Sequence, residues 1–560
     1  MRKLRYAAIS LASILSLTFL GSCSKDTEYV DRIITETDTL YVEKIITDTV
    51  SAPTDTTLSI GEGIDPTPRK KVPLTIISYG VGGGNLDTYL NTCYLNGLEY
   101  FASWSNQTVT LGEDINFVGQ YKFSSPDSLI NNSYLPDSIA NKLGGNTYRF
   151  VFDTRGILEY RNWYDKTATG KFSSIYKYAD VVSNDASYAM NSTDNLIEFL
   201  NYAASVAPAD KYILVLEDHG GGYGFDNNKT RAVLYDDNRD YSALTTPQIR
   251  KGIMASDIKQ VEAIIFNACL ENNLEELCEL VGSAKYTVAQ SHTTIPPYKY
   301  ISFLSYYYKM IVPEENATTK NYEDMLNAYA MSLFGTVEED VITGGVAGAG
   351  NSFPHDICVT RLDKLEDVGA AIADFSKFLI DKQKEEDALG VTTLKDNVIN
   401  LCYRYDKNRY LFDVVDLVSL AYENYPTEMA TIWDNFVKAV EAARVCCYNN
   451  SETWKSKSSA LSESATNYDT SWSIYLNSKE KMLNPKETVS YTEDEMDEIY
   501  GTLKFRVYTT DEDNTYSWYT WLLSNNVTPE GNPTAYTIST REFIQRLVEL
   551  YEYLWGIKNN

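Results

Sequence analysis

Histidine is nearly missing from this chain: its 560 residues include only His219, His292 and His355. Any imidazole chemistry must therefore fall to one of three positions. Basic residues are scarce as well, 49 Lys and Arg against 77 Asp and Glu, for a formal charge of −28. A surface this acidic repels phosphate backbones and argues against nucleic acid as a partner. Cysteine is sparse at eight residues. With Cys23 set aside, the odd number left does not read as a disulfide framework. Cys446 and Cys447 are adjacent and could form only a strained vicinal bridge, so most of these cysteines are expected as buried thiols. What is abundant is tyrosine, at 44 residues, in a chain that is 44% apolar and 22% charged. That is the composition of a globular protein long enough for two to four domains.

The N-terminus carries an address. Met1 to Arg5 is basic, and the apolar stretch from Tyr6 to Phe19 is too short to span a membrane comfortably. It ends in "LGSC", which resembles a bacterial lipobox and implies cleavage before Cys23 with lipidation there. Residues 1–22 are thus expected as a lipoprotein signal peptide. Acyl chains on Cys23 would hold the protein to a membrane, each buried methylene adding about 0.8 kcal/mol. "SKDTE" directly after Cys23 resembles surface-export tags, so the expected location is the bacterial outer membrane, facing outward. Residues 23–70 contain the repeat "YVDRIITETDTL" and "YVEKIITDTVSA" and read as a Thr/Asp-rich tether.

Beyond it, short β-branched runs alternate with helical patterns. "VPLTIISYGVGGG", "TYRFVFDT" (147–154), "KYILVLEDHGGG" (211–222), "VEAIIFNAC" (261–269) and "YTVAQSH" (286–292) read as strands. "NSTDNLIEFLNYAAS" (191–205) reads as a capped helix. The alternation predicts an α/β domain over 71–340 with a mostly parallel sheet between helices. Residues 341–560 read as an α+β segment packed on it. There 361–383 and 429–445 are amphipathic helices, and "SWSIYLN" (471–477) and "LKFRVYTT" (503–510) are strands.

Two strand ends stand out, because ligand chemistry in such sheets gathers at the carboxyl ends of strands. One strand ends in His219 followed by Gly220, Gly221 and Gly222. Glycine there allows close backbone approach to a ligand. The other ends in "IIFNACLEN", and "LENNLEELCELV" reads as a helix with Leu270, Leu274, Leu277 and Val281 on its buried face. Cys269 is then expected at or beside a helix N-terminus, where the dipole favours a thiolate. Cys278 serves as an unactivated internal comparison.

A strand ending in His-Gly, followed about fifty residues on by one ending in X-Ala-Cys, resembles the caspase-like cysteine peptidases. More closely, "LTIISYGVGGGNLDTYL" (74–90), "MNSTDNLIEFLNYAASVAPADKYILVLEDHGGGYGF" (190–225), "IIFNACLENNLEEL" (264–277), "YLFDVVDLVSLA" (410–421) and "SWSIYLN" resemble segments of the clostripain family. The resemblance covers most of 72–525. It implies a caspase-like fold and an endopeptidase with Cys269 as nucleophile, His219 as general acid/base and Gly220 in the oxyanion hole. It implies peptide or protein substrates and no required cofactor or metal. Calcium stimulation occurs in part of the family, and no ligand cluster here transfers it. Family members are often matured by internal cleavage, for which "NNKTRAV" (227–233) offers Lys229 and Arg231 in a polar loop.

Two departures bear on specificity. Members that cleave after Arg or Lys commonly carry Asp two residues before the nucleophile, and here that residue is Asn267. A neutral amide keeps hydrogen bonding and removes the ion pair, which weakens the case for a basic P1 residue. The loop after the next strand reads "AQSHTTIPPYKYISFL" (289–304), where Ser291, Thr293 and Thr294 are candidates to line a pocket and His292 reads as a loop residue. Two other classes stay open: a degenerate relative that binds peptides without cutting them, suggested by Asn267, and a glycan- or nutrient-binding surface lipoprotein, suggested by tyrosine and the tether. Oligomeric state is not legible.

Overall fold

The computed structural model describes residues 67–82, 113–127, 141, 143–152, 180–226, 229–236, 242–244, 246–292, 300–311, 319–343, 356–399, 401–406, 411–449 and 472–475. The signal peptide, Cys23, the tether up to residue 66, Thr293, Thr294 and the strand expected at 503–510 lie outside the described residues.

In chain order the strands are β1 (Val72–Val81), β2 (Ile115–Lys122), β3 (Thr147–Phe152), β4 (Asp180–Ser183), β5 (Ala209–Glu217), β6 (Gly220–Asp226), β7 (Lys229–Asp236) and β8 (Ser242–Leu244). They continue with β9 (Val261–Asn267), β10 (Ala284–Ala289), β11 (Asp356–Arg361), β12 (Arg404–Asp406), β13 (Leu411–Asp413), β14 (Arg444–Asn449) and β15 (Ser473–Tyr475). The α-helices are α1 (Thr193–Val206), α2 (Thr246–Ala255), α3 (Leu274–Glu279), α4 (Tyr300–Ile311), α5 (Tyr322–Thr343), α6 (Leu365–Leu389), α7 (Val414–Asn424) and α8 (Pro426–Ala443).

Nine strands form one sheet in the order β14-β11-β10-β9-β5-β1-β2-β3-β4. The five central strands, β10 to β2, run parallel, and both flanks are antiparallel. This is the α/β architecture expected. The central strands carry near-continuous apolar runs because helices cover both faces. Every residue of β9 is buried. On one face Ile77, Leu214, Leu216, Ile264 and Phe266 pack against Leu196 and Phe199 of α1, Leu274 and Leu277 of α3, and the buried sides of α6, α7 and α8. On the other, Ile213, Val215, Ala263 and Ile265 pack against Tyr307 of α4 and Met325, Leu326 and Tyr329 of α5.

The boundary expected at 340 falls inside α5, and the segment after it adds β11 and β14 to the same sheet. The cysteine reading needs correction as well. Cys358 and Cys447 are Cα partners on those two strands and form a disulfide across them, closing a sequence separation of 89. Neighbouring antiparallel strands bring the two β-carbons within bridging reach, which the adjacent pair Cys446–Cys447 could not supply.

Candidate active site

The two unusual strand ends are neighbours. Strands β5 and β9 pair in parallel with Leu216 opposite Phe266 and Glu217 opposite Asn267. Just past that pair the chain turns at Asp218–His219 on one side and at Ala268–Cys269 on the other. His219 is exposed and Cys269 half-buried, whereas Cys278, within α3, is fully buried. Gly220 joins the two corners. A β-carbon built on it would lie 2.1 Å from the Cys269 carbonyl oxygen, 2.4 Å from Oε1 of Glu271 and 2.7 Å from the Cys269 nitrogen. Only a residue without a side chain allows this approach, and it brings the residue after His219 against the main chain of Cys269.

The corner at Cys269 differs from the expected strand-to-helix junction. Helix α3 begins at Leu274 with Asn273 as its N-cap, so Cys269 precedes the cap by four positions. The field of a helix terminus fades within about one turn, and the dipole is not what would ionise this thiol. Leu270, expected on a helical face, instead has φ +65°. A branched side chain in the left-handed region costs on the order of 1–3 kcal/mol and persists only where surrounding contacts enforce it. Those contacts are present. Leu270 N donates to His292 O at 3.1 Å, Asn272 N to Gln290 O at 2.9 Å, and Ser473 N to Asn272 O at 3.0 Å.

Ser291 does not line a pocket. It is fully buried and spends its hydroxyl on Asn272, accepting from Nδ2 at 2.9 Å and donating to the carbonyl at 3.2 Å. His292 sits in the loop after β10, as expected, but is buried there. Its side chain is 2% exposed, with Nδ1 2.6 Å from Oδ1 of Asp356 and Nε2 2.7 Å from the Tyr403 hydroxyl. Asp356 also accepts from the main-chain N–H groups of Ser291 and His292. Leu270 and Tyr405 pack together, with Cys269 and Tyr403 against them. This His–Asp pair was hidden in the sequence because its members are 64 residues apart. The scarcity of histidine was the one available signal.

Asn267 is buried on the face toward α5, and its cross-strand partner Glu217 points the same way. Ser78 donates to Glu217 at 2.6 Å and lies 2.5 Å from the Tyr121 hydroxyl. Burial pushes the Glu217 carboxyl well above the usual range, and the Ser78 hydrogen bond offsets this only in part. An acidic group thus stands beside Asn267 after all, contributed by the neighbouring strand.

The expected polar loop at 227–233 is mostly strand. Lys229 and Arg231 belong to β7, paired with Asp226 and Gly224 of β6. Peptidases bind extended, unpaired chain, so a bond beside either residue must leave this hairpin to be cut. Asp356, Cys358 and Cys447 bring their ligand atoms within 4.8 Å of one another. The sulfurs are bonded to each other and the carboxylate holds His292, so the trio does not fit a metal in this state.

A family model described as the clostripain family matches residues 159–520, well over half of the chain. Comparison with curated protein sequences gave no match. Among solved structures, a secreted C11 cysteine protease from Bacteroides thetaiotaomicron in complex with an irreversible peptide inhibitor is 14% identical, with TM-score 0.46, covering 77% of this chain and 98% of its own. A secreted C11 cysteine protease from the same organism, "iotapain", is 13% identical, with TM-score 0.44, covering 68% and 87%. An inactive zymogen C11 protease from Parabacteroides distasonis is 14% identical, with TM-score 0.43, covering 77% and 98%. With the family model spanning the His-Gly and Ala-Cys strand ends alike, the chain belongs to the clostripain family of cysteine endopeptidases.

Proposed function

We propose that the peptidase works through Cys269 and His219 and that it is lipid-anchored at the outer membrane through Cys23. The observation that carries the site is the contact of Gly220 with the Cys269 main chain. It puts an exposed imidazole and a half-buried thiol on adjoining corners of one sheet edge. In this reading His219 accepts the thiol proton and the sulfur attacks the scissile carbonyl. The tetrahedral oxygen is held by the N–H groups of Gly220 and Cys269. Collapse breaks the C–N bond, the amine leaves with the proton from His219, and a thioester remains. His219 then takes a proton from water, whose oxygen attacks the thioester; the C–S bond breaks, the acid is released, and the proton on His219 returns to the Cys269 sulfur. A single oxyanion donor is worth roughly 2.7–4 kcal/mol where one has been removed from other enzymes. The dyad supplies both proton transfers by itself, so no cofactor is called for.

Substrates are extended peptide segments. Asn267 gives the site a neutral amide two residues before the nucleophile, backed by Glu217. Maturation at Lys229 or Arg231 belongs to this reading only if the β6–β7 hairpin opens. The tether would hold the catalytic part clear of the lipid, and "LGSC" supports the anchor.

The deciding experiment is labelling with a peptide electrophile followed by mass mapping. Attachment at Cys269 that is lost in Cys269→Ala and strongly reduced in His219→Ala is expected. Label appearing on Cys278 instead, or equal labelling without His219, would end the dyad reading. Globomycin treatment of the expressing cell tests the anchor: an uncleaved precursor should accumulate.

A further inference from the structure

We propose that His292 is a positioning residue for the nucleophile: clamped by Asp356 and Tyr403, it holds Leu270 left-handed and so aims the Cys269 thiol. This rests on Cys269 being the nucleophile, as argued above.

The argument starts from the ring. Asp356 faces it as an acceptor, already taking main-chain N–H groups from Ser291 and His292. Nδ1 is paired with the Asp356 carboxylate, and Nε2 with the Tyr403 hydroxyl. Both nitrogens are used, and Tyr405 stacks edge-on against the ring at 4.6 Å, so it cannot swing. A residue fixed on three sides fixes its own carbonyl, and that carbonyl accepts the Leu270 N–H at 3.1 Å. Leu270 is the left-handed residue directly after Cys269. The clamp is in turn anchored to helix α7. Asp413 caps that helix by accepting from Asp416 N, the Tyr405 hydroxyl donates to Asp413, and Asp416 accepts Tyr403 N at 2.6 Å. Tyr403, Tyr405, Asp413 and Asp416 thereby complete the nucleophile corner from far along the chain. None of these groups needs to touch substrate. Their work is to keep the thiol beside His219, where it can ionise.

The test is the second-order rate of Cys269 alkylation by iodoacetamide at neutral pH, read by peptide mass mapping with Cys278 mapped in parallel. The proteins are wild type, His292→Ala, Tyr403→Phe and the double variant. Positioning requires the Cys269 rate to fall, about tenfold in His292→Ala and a few-fold in Tyr403→Phe. The double variant should be no slower than His292→Ala, because the two groups act in one chain. Cys278 should stay silent throughout. A residue that merely supports the fold gives the opposite sign: loosening exposes the thiols, and Cys269 and Cys278 both label faster. Unchanged Cys269 rates in folded His292→Ala, or faster ones, overturn the proposal. If His292→Ala does not fold, Tyr403→Phe decides in the same way, since it removes one oxygen and keeps the ring. A wild-type protein whose Cys269 labels no faster than Cys278 would refute the nucleophile assignment itself, a result separable from either outcome for His292.

Discussion

Gly220 touches Cys269 main chain to main chain, with no room for a single added carbon between the β5 corner and the Cys269 carbonyl. The two strand ends are consequently one structural object. Substituting Gly220 by Ala forces a backbone shift, because two of the three obstructing atoms, the Cys269 carbonyl oxygen and nitrogen, are main chain, and only the third, Oε1 of Glu271, is the tip of a side chain that can move. A misplacement of about 1 Å in a reacting pair can cost about 100-fold in rate. Gly220→Ala should lose activity on that scale while its far-ultraviolet circular dichroism stays unchanged. Activity within a few-fold of wild type would show that the contact does not govern the geometry.

The thiols should separate cleanly by environment. Cys269 is half-buried, Cys278 and Cys402 are buried, and burial pushes Cys446 up to about 12. At pH 8 a native-state alkylation time course should modify Cys269 well before the other three. Cys446 is half-buried like Cys269, so its modification at a comparable rate would contradict its raised pKa.

Glu217 makes a prediction about pH. Its folded carboxyl titrates well above the ordinary glutamate value of about 4.5, so the native state holds a proton that the unfolded chain has released. That contribution to stability is fully present below about pH 4.5 and is lost as pH rises toward the folded value, at most about 1.4 kcal/mol per pH unit for one proton. Glu217→Gln keeps an acceptor for Ser78 and carries no charge to bury. Its melting temperature should exceed that of wild type at pH 7–8, with the gap closing toward acid. A constant gap across pH would place the titration elsewhere.

The Cys358–Cys447 bridge spans 89 positions and joins two strands of the main sheet. Removing a bridge of this kind costs about 2–5 kcal/mol. A Cys358→Ser/Cys447→Ser protein should show that loss in urea denaturation. Intact-mass alkylation without reductant should find the two cysteines protected in wild type.

Much of the sheet was legible because its middle strands are simple. Runs such as "KYILVLE" and "VEAIIFN" are apolar on both faces, and strands of that kind must be covered by helices. β2 was not legible, since "INFVGQYK" places Asn116, Gln120 and Lys122 in a fully buried strand. Distant partners explain two of the three: Lys122 pairs with Asp236 at 2.5 Å, and Gln120 accepts from Arg149 at 2.8 Å. Leu270 misled for the opposite reason. Its spacing suits a helix, and periodicity cannot register a left-handed turn imposed by a carbonyl 22 positions away, at His292.

The sequence by itself determined the strand ends where chemistry is possible, since few side chains can do it and so few histidines were on offer. It determined the α/β class as well, through the period of its apolar residues. Tertiary structure alone decided which groups surround those ends: His292 on Asp356, Tyr403 on His292, Glu217 beside Asn267, Cys358 on Cys447. Each of these pairs is remote along the chain and adjacent in space. Hydrogen bonds and disulfides depend on separations of a few ångströms, which local sequence pattern does not encode and packing of the whole sheet does.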